Sequence, residues 1–148
     1  MLSEKQKYNT IALLFDEGCS CIVRKYDEIR IFRKRGVRDL LQLLHEEHDF
    51  TSGAFIADKV VGKGAAALIV LCGIQEVFAD IISTPARQLL DKSRVRYTYS
   101  VEVPNITSNR TKDGLCPVER VCADCQTAKE CLPRIEEFVA RMAAHKSA

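Results

Sequence analysis

The chain has 148 residues, of which 47% are hydrophobic and 28% charged, and its formal net charge is +2. This size fits one domain with one core, and the nearly balanced charge excludes a nucleic-acid binder that is defined by its charge. Because the apolar run at residues 11–15 is too short for a membrane span or a signal peptide, we expect one cytoplasmic domain over residues 1–148, with no membrane partner.

The first half of the chain predicts a helix, a hairpin, a second helix and a buried strand. Residues 3–16 form the first helix with Ser3 as its cap, and residues 19–36 alternate apolar and polar residues around a central turn. Apolar residues recur with helical spacing over residues 36–50. The wholly apolar run at residues 53–57 is typical of a central strand that is buried on both faces.

The second half alternates predicted helices and strands. A nearly all-apolar helix covers residues 58–73, and a strand follows at residues 75–82. The next helix, residues 84–93, has Thr84 as its predicted cap, with a proline at its first position. A last strand is predicted at residues 95–103.

A hairpin followed by alternating strands and helices is typical of an α/β fold. We expect a three-layer α/β/α sandwich around a mixed five-stranded sheet. Its core covers about residues 10–120, and a C-terminal helical segment covers about residues 117–145, although Pro133 interrupts that pattern early. Ligands of such sheets bind beyond the carboxyl ends of the strands, where helices begin.

The junction at residues 58–63 lies at such a helix start. A helix N-terminus attracts anions, and Lys59 and Lys63 add positive charge one turn apart, while Gly62 allows a close approach. Asp58 then caps the helix or accepts a hydrogen bond from the neutral part of a ligand. The alternative is that Asp58 only caps, that the glycine only packs, and that both lysines are solvated.

Two further segments are expected to face this junction. The loop after the last strand contributes Asn109, Arg110 and Thr111, and Cys116 with Glu119 follows as a helix start with an acid in its first turn.

At the start of the second helix, Arg35 and Gly36 are the residues that we expect to face the same pocket. The neighbouring basic residues are typical of a solvated surface.

Three segments resemble one bacterial family, which is labelled domain of unknown function 1893. They are ADKVVGKGAAAL at residues 57–68, RGV at 35–37 and NRTKDGLCPVE at 109–119, and the likeness extends over about residues 10–120. The resemblance implies a cytidine-deaminase-like fold without an established activity, so that function has to be argued from the site.

Zinc deaminases need a His or Cys followed by Glu at one helix start, and Pro-Cys-x-x-Cys at the next. The chain has RKRGV at residues 33–37 and ADKVVGK at residues 57–63 instead, with no thiolate or imidazole at either place. We therefore expect no zinc beside Gly36 or Asp58, and no cofactor.

Seven cysteines are an odd number in a chain without an export signal, so we expect reduced thiols. Cys116, Cys122, Cys125 and Cys131 have the spacing C-x5-C-x2-C-x5-C, which matches no common ligand pattern but offers four thiolates to zinc or an iron–sulfur cluster. The alternative is that they are buried or incidental thiols.

These observations leave three functional hypotheses. The first is a metal-free protein that binds a small anionic, nucleotide-like ligand, with Lys59, Lys63 and Arg110 holding the anion. The second is an enzyme in the same pocket, with Cys116 as nucleophile or redox thiol and Asp58 or Glu119 as acid or base. The third is a metal-binding or redox-sensing module of C-terminal cysteines. A homo-oligomer is compatible with each of them, and none involves a nucleic acid.

Overall fold

The structure is a computed structural model that describes residues 2–34, 36–108 and 114–147. The elements, in chain order, are α1 (Glu4–Asp16), β1 (Cys21–Lys25), β2 (Glu28–Phe32), α2 (Arg38–Glu46), α3 (His48–Thr51), β3 (Phe55–Val61), α4 (Lys63–Leu71), β4 (Glu76–Ser83), α5 (Thr84–Asp91), β5 (Arg96–Val103), α6 (Pro117–Cys122) and α7 (Ala128–Ser147).

The five strands form one mixed sheet in the order β2-β1-β3-β4-β5. β1 is antiparallel to β2 and to β3, whereas β3, β4 and β5 are parallel. The predicted mixed five-stranded sheet is therefore confirmed, and the apolar strand that was predicted at residues 53–57 lies at its centre. The parallel strands direct their carboxyl ends to one edge, which is the edge where α4 begins.

α4 is the most deeply buried helix of the part of the chain that the structure describes. Seven of its residues are buried, and Ala66, Leu68 and Ile69 are fully so, because α2, α5, α6 and α7 all contact this helix. A helix surrounded in this way has to be apolar on every side, which explains its sequence. A second, smaller cluster joins Leu14 of α1 to Ile22 and Ala57.

The helix that was predicted to begin at Asp58 begins at Lys63 instead. β3 continues through Val61, because Val60 and Val61 pair with Ile81 and Ile82 of β4. β-Branched residues suit a pleated strand better than a helix, so the tertiary pairing extends the strand to the Gly62 cap. Asp58 is consequently a strand residue, and the interpretation of Asp58 as a helix cap is wrong.

The predicted Thr84 cap is also wrong, by one residue. Ser83 is the N-cap of α5, and its hydroxyl accepts a hydrogen bond from the Ala86 backbone N–H at 3.2 Å. Thr84 is the first helical residue, and its hydroxyl donates to Glu102 of β5 at 2.7 Å. The Ser3 cap of α1 is confirmed, with reciprocal hydrogen bonds to Gln6.

The segment that was predicted as one helix over residues 36–50 forms the two helices α2 and α3. Near the C-terminus Pro133 lies inside α7 without ending it. Within residues 2–34, 36–108 and 114–147, the helices are too short or too polar to cross a lipid bilayer.

Candidate functional site

A cavity of about 560 Å³ opens beyond the carboxyl end of β3 and at the first turn of α4. Its walls come from the turn between α1 and β1, the segment between β2 and α2, the junction of β3 with α4, and the start of α6. The lining residues are Gly18, Cys19, Ser20, Cys21, Phe32, Arg33, Lys34, Gly36, Val37, Asp39, Leu40, Asp58, Lys59, Val60, Gly62, Gly64, Ala65, Ile106, Cys116, Val118 and Glu119.

Asp58 is the buried acid in the middle of β3. Its side chain is only 8% exposed, and burial raises the pKa of its carboxyl group to about 7, although hydrogen bonds from the Val60 and Lys59 backbone N–H groups oppose this rise. The Val60 N–H donates to Oδ1 at 3.2 Å. A carboxyl group with this pKa exchanges its proton near neutral pH, as a general acid or base requires.

Cys21 faces Asp58 across the antiparallel pair of β1 and β3. Burial raises the pKa of the Cys21 thiol well above its usual value, and the charges of Asp58 and Asp39 add to that rise. Cys21 therefore stays a neutral thiol beside the carboxyl group. The register of the hairpin places Cys21 opposite Phe32, whereas the contact with Asp58 comes from the pairing of β1 with β3, which the sequence did not predict.

The first turn of α4 supplies backbone rather than side chains to the cavity. The N-cap is Gly62, which offers no side-chain hydrogen bond, and the next two lining residues are Gly64 and Ala65. A side chain at Gly62 would contact Glu119 Oε1 at 3.1 Å, so glycine permits the close approach of that carboxylate. The N–H groups of a first helical turn have no partner within the helix.

Glu119 of α6 joins three separate segments at the cavity wall. Its Oε1 accepts hydrogen bonds from the Lys63 backbone N–H at 2.6 Å and from the Ser83 hydroxyl at 3.0 Å, and its Oε2 accepts from the Ile106 backbone N–H at 2.8 Å. The side chain is buried, with 4% exposure. Glu119 thus accepts a hydrogen bond from one backbone N–H in the first turn of α4, and it holds the loop after β5 against that turn.

Lys63, which was predicted to hold an anion, turns away from the cavity. Its ammonium group donates to the carbonyl oxygens of Cys125 at 2.6 Å and Ala123 at 3.1 Å, and the residue is 9% exposed. The prediction assumed that Lys59 and Lys63 were one helical turn apart, whereas they lie on β3 and α4. Lys63 is therefore a buried anchor between α4 and the end of α6.

Positive charge reaches the cavity from two other places. Lys59 is half-buried on β3, and the exposed Arg33 and Lys34 lie between β2 and α2. Arg33 also binds Glu17, at 2.9 Å through its backbone carbonyl and at 3.1 Å through its carboxylate. Among the described lining residues these cations are balanced by Asp39, Asp58 and Glu119.

Two of the predicted site residues on other segments are also brought to the cavity. Gly36 lines it with a φ of +96°, a conformation that favours glycine, and Cys116 lines it as the half-buried N-cap of α6. The other residues that were predicted to face the ligand are outside the described part of the chain. They are Arg35, Asn109, Arg110 and Thr111.

The four C-terminal cysteines do not lie together as one group. Cys116 faces the cavity, whereas Cys122, Cys125 and Cys131 are buried in the main hydrophobic cluster. Among residues 2–34, 36–108 and 114–147, no three His, Cys, Asp or Glu side chains are placed to hold a metal ion together.

Sequence reasoning missed several lining residues, chiefly Arg33, Lys34, Asp39 and Ile106. Arg33 and Lys34 were part of a basic run, which is typical of solvated surface, and only the fold shows that this run borders a cavity. Asp39 lies in the first turn of α2, where an acid is common without any function.

Residues 9–139 match the profile of the family described as Domain of unknown function (DUF1893). A crystal structure of a DUF1893 family protein from Thermotoga maritima superimposes with a TM-score of 0.81 and 19% sequence identity, covering 95% of this chain and 92% of that chain. No curated protein matches the chain significantly. At 19% identity the structural similarity shows a shared fold and no more. The family profile, in contrast, matches most of the sequence. The chain therefore belongs to the DUF1893 family.

Proposed function

We propose that the cavity binds a small anionic, nucleotide-like ligand without the help of a metal ion. The observation that carries this proposal is the convergence of distant segments on one concave site. Asp58 and Lys59 of β3, Ala65 of α4, Gly36 before α2 and Cys116 before α6 all border the same space. A volume of about 560 Å³ lies within the range of small-molecule sites.

In this proposal the anion lies against the first turn of α4. Gly64 and Ala65 offer backbone there, and Lys59 supplies a positive charge from the adjacent strand end. Lys63 has no part in holding the anion, because carbonyl oxygens already bind its ammonium group.

Asp58 orients the neutral part of the ligand. A protonated carboxyl group has one O–H donor and a carbonyl acceptor, so it can form a pair of hydrogen bonds with an amide or with a base edge. Because burial raises the pKa of Asp58 to about 7, the neutral form prevails below that pH. Loss of the proton adds a negative charge to the cavity, so the affinity for an anion falls as the pH rises through about 7.

The fold supports the same proposal. Helices on both faces of the sheet, with α1 beside Ile22 on one and α4 on the other, would make a three-layer sandwich of the cytidine-deaminase-like type. The cavity then occupies the two helix starts at which zinc deaminases carry their ligands. Here Gly36 and Gly62 lie at those places, and neither offers a side chain to a metal.

Thermal shift with nucleoside monophosphates and with inorganic phosphate tests the proposal, since a ligand at a hundredfold excess over its Kd adds about 2.7 kcal/mol to stability. We expect at least one nucleotide to stabilise the protein, and Lys59→Ala to lose most of that stabilisation. Lys129→Ala is the matched control, because Lys129 is an exposed lysine of α7 that does not line the cavity.

The pH gives a second test of the same site. For a nucleotide that binds, we expect the affinity of the wild type relative to that of Asp58→Asn to fall from about pH 6 to about pH 8. Only the wild type titrates at position 58, whereas the phosphate group of the nucleotide titrates alike with both proteins. The proposal would be overturned if no nucleotide stabilised the protein, or if Lys59→Ala bound the nucleotide as tightly as the wild type does.

A second candidate function is nucleophilic catalysis by Cys116. The position of this residue in the cavity wall favours that function. The half-buried thiol lies at the N-cap of α6 and borders the cavity that also contains Asp58, which can act as acid or base. Iodoacetamide should then alkylate Cys116 before the six other cysteines, and a bound nucleotide should slow that reaction. If Cys116 were alkylated at the same rate with and without the nucleotide, its thiol would not be part of the nucleotide site.

A further inference from the structure

A smaller cavity, of about 250 Å³, opens at the amino ends of the parallel strands, and the proposed function does not use it. This amino-end cavity is bordered by Phe55 of β3, Glu76 of β4 and Arg96 of β5, each of which is the first residue of its strand. Val60, which lines the candidate site, lies five residues further along β3, or about 16 Å away at about 3.3 Å per residue. The two cavities are therefore separate sites at opposite ends of the strands.

The walls of the amino-end cavity carry an excess of positive charge. Its cationic residues are Lys7 of α1, Arg24 and Lys25 at the end of β1, and Arg96, whereas Glu76 is the single acid among the described residues that line it. Four cations against one carboxylate give a formal charge of +3, although the whole chain carries only +2. A concave surface with one sign of charge raises the local concentration of the opposite ion.

Glu76 is shared between two of these cations. Its Oε1 accepts a hydrogen bond from Lys7 Nζ at 2.9 Å and forms an ion pair with Arg96 Nη2 at 3.3 Å. Lys7 also pairs with Glu4 at 3.3 Å, but the side chain of Glu4 is almost fully exposed, so that solvent screens its charge. The one largely buried carboxylate of the cavity thus compensates Lys7 and Arg96, and it leaves the charges of Arg24 and Lys25 to other partners.

Arg24 is a largely buried guanidinium group whose hydrogen bonds go to neutral oxygens. Its side chain is 11% exposed. Nε donates to the Tyr26 carbonyl at 2.8 Å, and Nη1 donates to the Thr10 hydroxyl at 3.3 Å and to the Gln6 carbonyl at 3.5 Å. Within the described residues, Nη2 forms an ion pair with the fully exposed Asp27 at 3.9 Å, which is too long for a hydrogen bond. Nη2 can therefore donate to a ligand.

Lys25 adds a second positive charge whose partner is a neutral oxygen. Its ammonium group donates to the backbone carbonyl of Asp49 at 2.7 Å, and an ammonium group has three donors. A charge that is partly removed from water is costly unless an ion of opposite sign lies beside it. A guanidinium fork next to an ammonium point charge is a combination that suits the oxygens of a phosphate group.

We propose that the amino-end cavity binds a small phosphate-bearing compound, with Arg24 and Lys25 as the main partners of the phosphate group and Arg96 as an additional cation. The volume of about 250 Å³ suits a phosphate group with a few further atoms and lies below the range of sites for larger ligands. The exposed Tyr26 also lines the cavity, which thus reaches the surface of the protein. This site is independent of the function proposed for the other cavity.

Calorimetric titration of the full-length protein with inorganic phosphate, at neutral pH and constant ionic strength, tests the proposal. A parallel titration with glycerol 3-phosphate distinguishes a phosphate ester from the free ion. We expect saturable binding of at least one of them, and an affinity that Lys25→Gln lowers by about tenfold or more, because a hydrogen bond between charged groups is lost. Arg96→Gln should lower the affinity by a smaller factor, because its side chain is half-exposed and already pairs with Glu76.

Two controls separate this site from general charge effects and from the other cavity. Arg94→Gln removes an exposed arginine that does not line the amino-end cavity, and Lys59→Ala changes the other cavity, so both should bind phosphate as the wild type does. Arg24 also ties β1 to α1, so the decision rests on Lys25→Gln and Arg96→Gln, which leave those hydrogen bonds in place.

Three results would overturn the proposal. The first is that neither compound binds saturably, and the second is that Lys25→Gln binds as tightly as the wild type. The third is that Lys59→Ala abolishes binding while Lys25→Gln retains it, because the phosphate would then lie in the other cavity. That third result would leave the proposed nucleotide site standing, so the two proposals can fail separately.

Discussion

Replacing Asp58 with asparagine should remove a large part of the pH dependence of folding stability. The carboxyl group is buried in the middle of β3, where it accepts hydrogen bonds from the backbone N–H groups of Val60 and Lys59. Burial therefore favours its neutral form. Asparagine has the same shape and is neutral at every pH, so Asp58→Asn removes the titration with little change in packing.

The magnitude follows from the difference between the two states of the chain. Burial raises the pKa of Asp58 from 3.8 to about 7. Between these values the folded protein keeps a proton that the unfolded chain has lost, so stability falls as the pH rises, by about 1.4 kcal/mol per pH unit. Above about pH 7 both states are ionised and the loss is complete. From about pH 5 to about pH 8 the expected loss is about 3 kcal/mol.

Urea unfolding of the wild-type protein and Asp58→Asn at these two pH values measures the effect. The difference in unfolding free energy between the two proteins should shift by about 3 kcal/mol in favour of asparagine on going to the higher pH. Other titrating groups are common to both proteins and cancel in that difference. Asp16→Asn, at an exposed position of α1, should follow the wild-type profile. Parallel profiles for the wild type and Asp58→Asn would refute the argument.

Three further sets of substitutions examine the packing around the cavity. Glu119→Ala leaves the buried N–H of Lys63 and the part-buried N–H of Ile106 without their acceptor and should lower the unfolding free energy in urea by about 3 kcal/mol. Gly64→Ala places a methyl group against Val118 Cγ1, so it should cost about 1–3 kcal/mol, and Val118→Ala should recover most of that cost in the double variant. Lys63→Ala should cost more than about 2 kcal/mol, whereas Lys59→Ala should change stability by about 0.5 kcal/mol or less, since only the first removes a buried charge from its partners. Equal effects of the two lysine substitutions would contradict the buried-anchor interpretation.

The order of strands and helices could be predicted because each long element has a distinct pattern. Alternation identified β1 and β2, and an unbroken apolar run identified β3 and α4. The boundary between β3 and α4 could not be placed from the sequence, because Asp58 to Lys63 resembles a helix start as well as a strand end. Pairing with β4 decides it, and that pairing involves residues that are distant in sequence.

The position of the candidate site in the fold could be predicted from the sequence, whereas its side-chain contacts could not. The rule that ligands bind beyond the carboxyl ends of strands points to the edge of the sheet where the structure has a cavity. The roles of Lys63 and Glu119 depend on which side of α4 faces α6, and nothing in the local sequence specifies that orientation. The sequence suggested a solvated or anion-binding lysine, whereas the carbonyl oxygens of Ala123 and Cys125 bind it in the interior.

The two buried acids of the cavity have different effects on an anionic ligand. Glu119 already gives its carboxylate to the first turn of α4, so part of the attraction of that helix end for anions is satisfied within the protein. In the proposed complex the anion would bind beside this fixed negative charge, and Lys59 of β3 would supply positive charge from the wall of the same cavity. Whether the cavity then favours an anion depends on Asp58, because its protonation removes one of the balancing negative charges. The ratio of the wild-type affinity to the affinity of Asp58→Asn, in which the titration of the ligand's own phosphate group cancels, should consequently follow the pKa of Asp58 and fall as the pH rises through about 7.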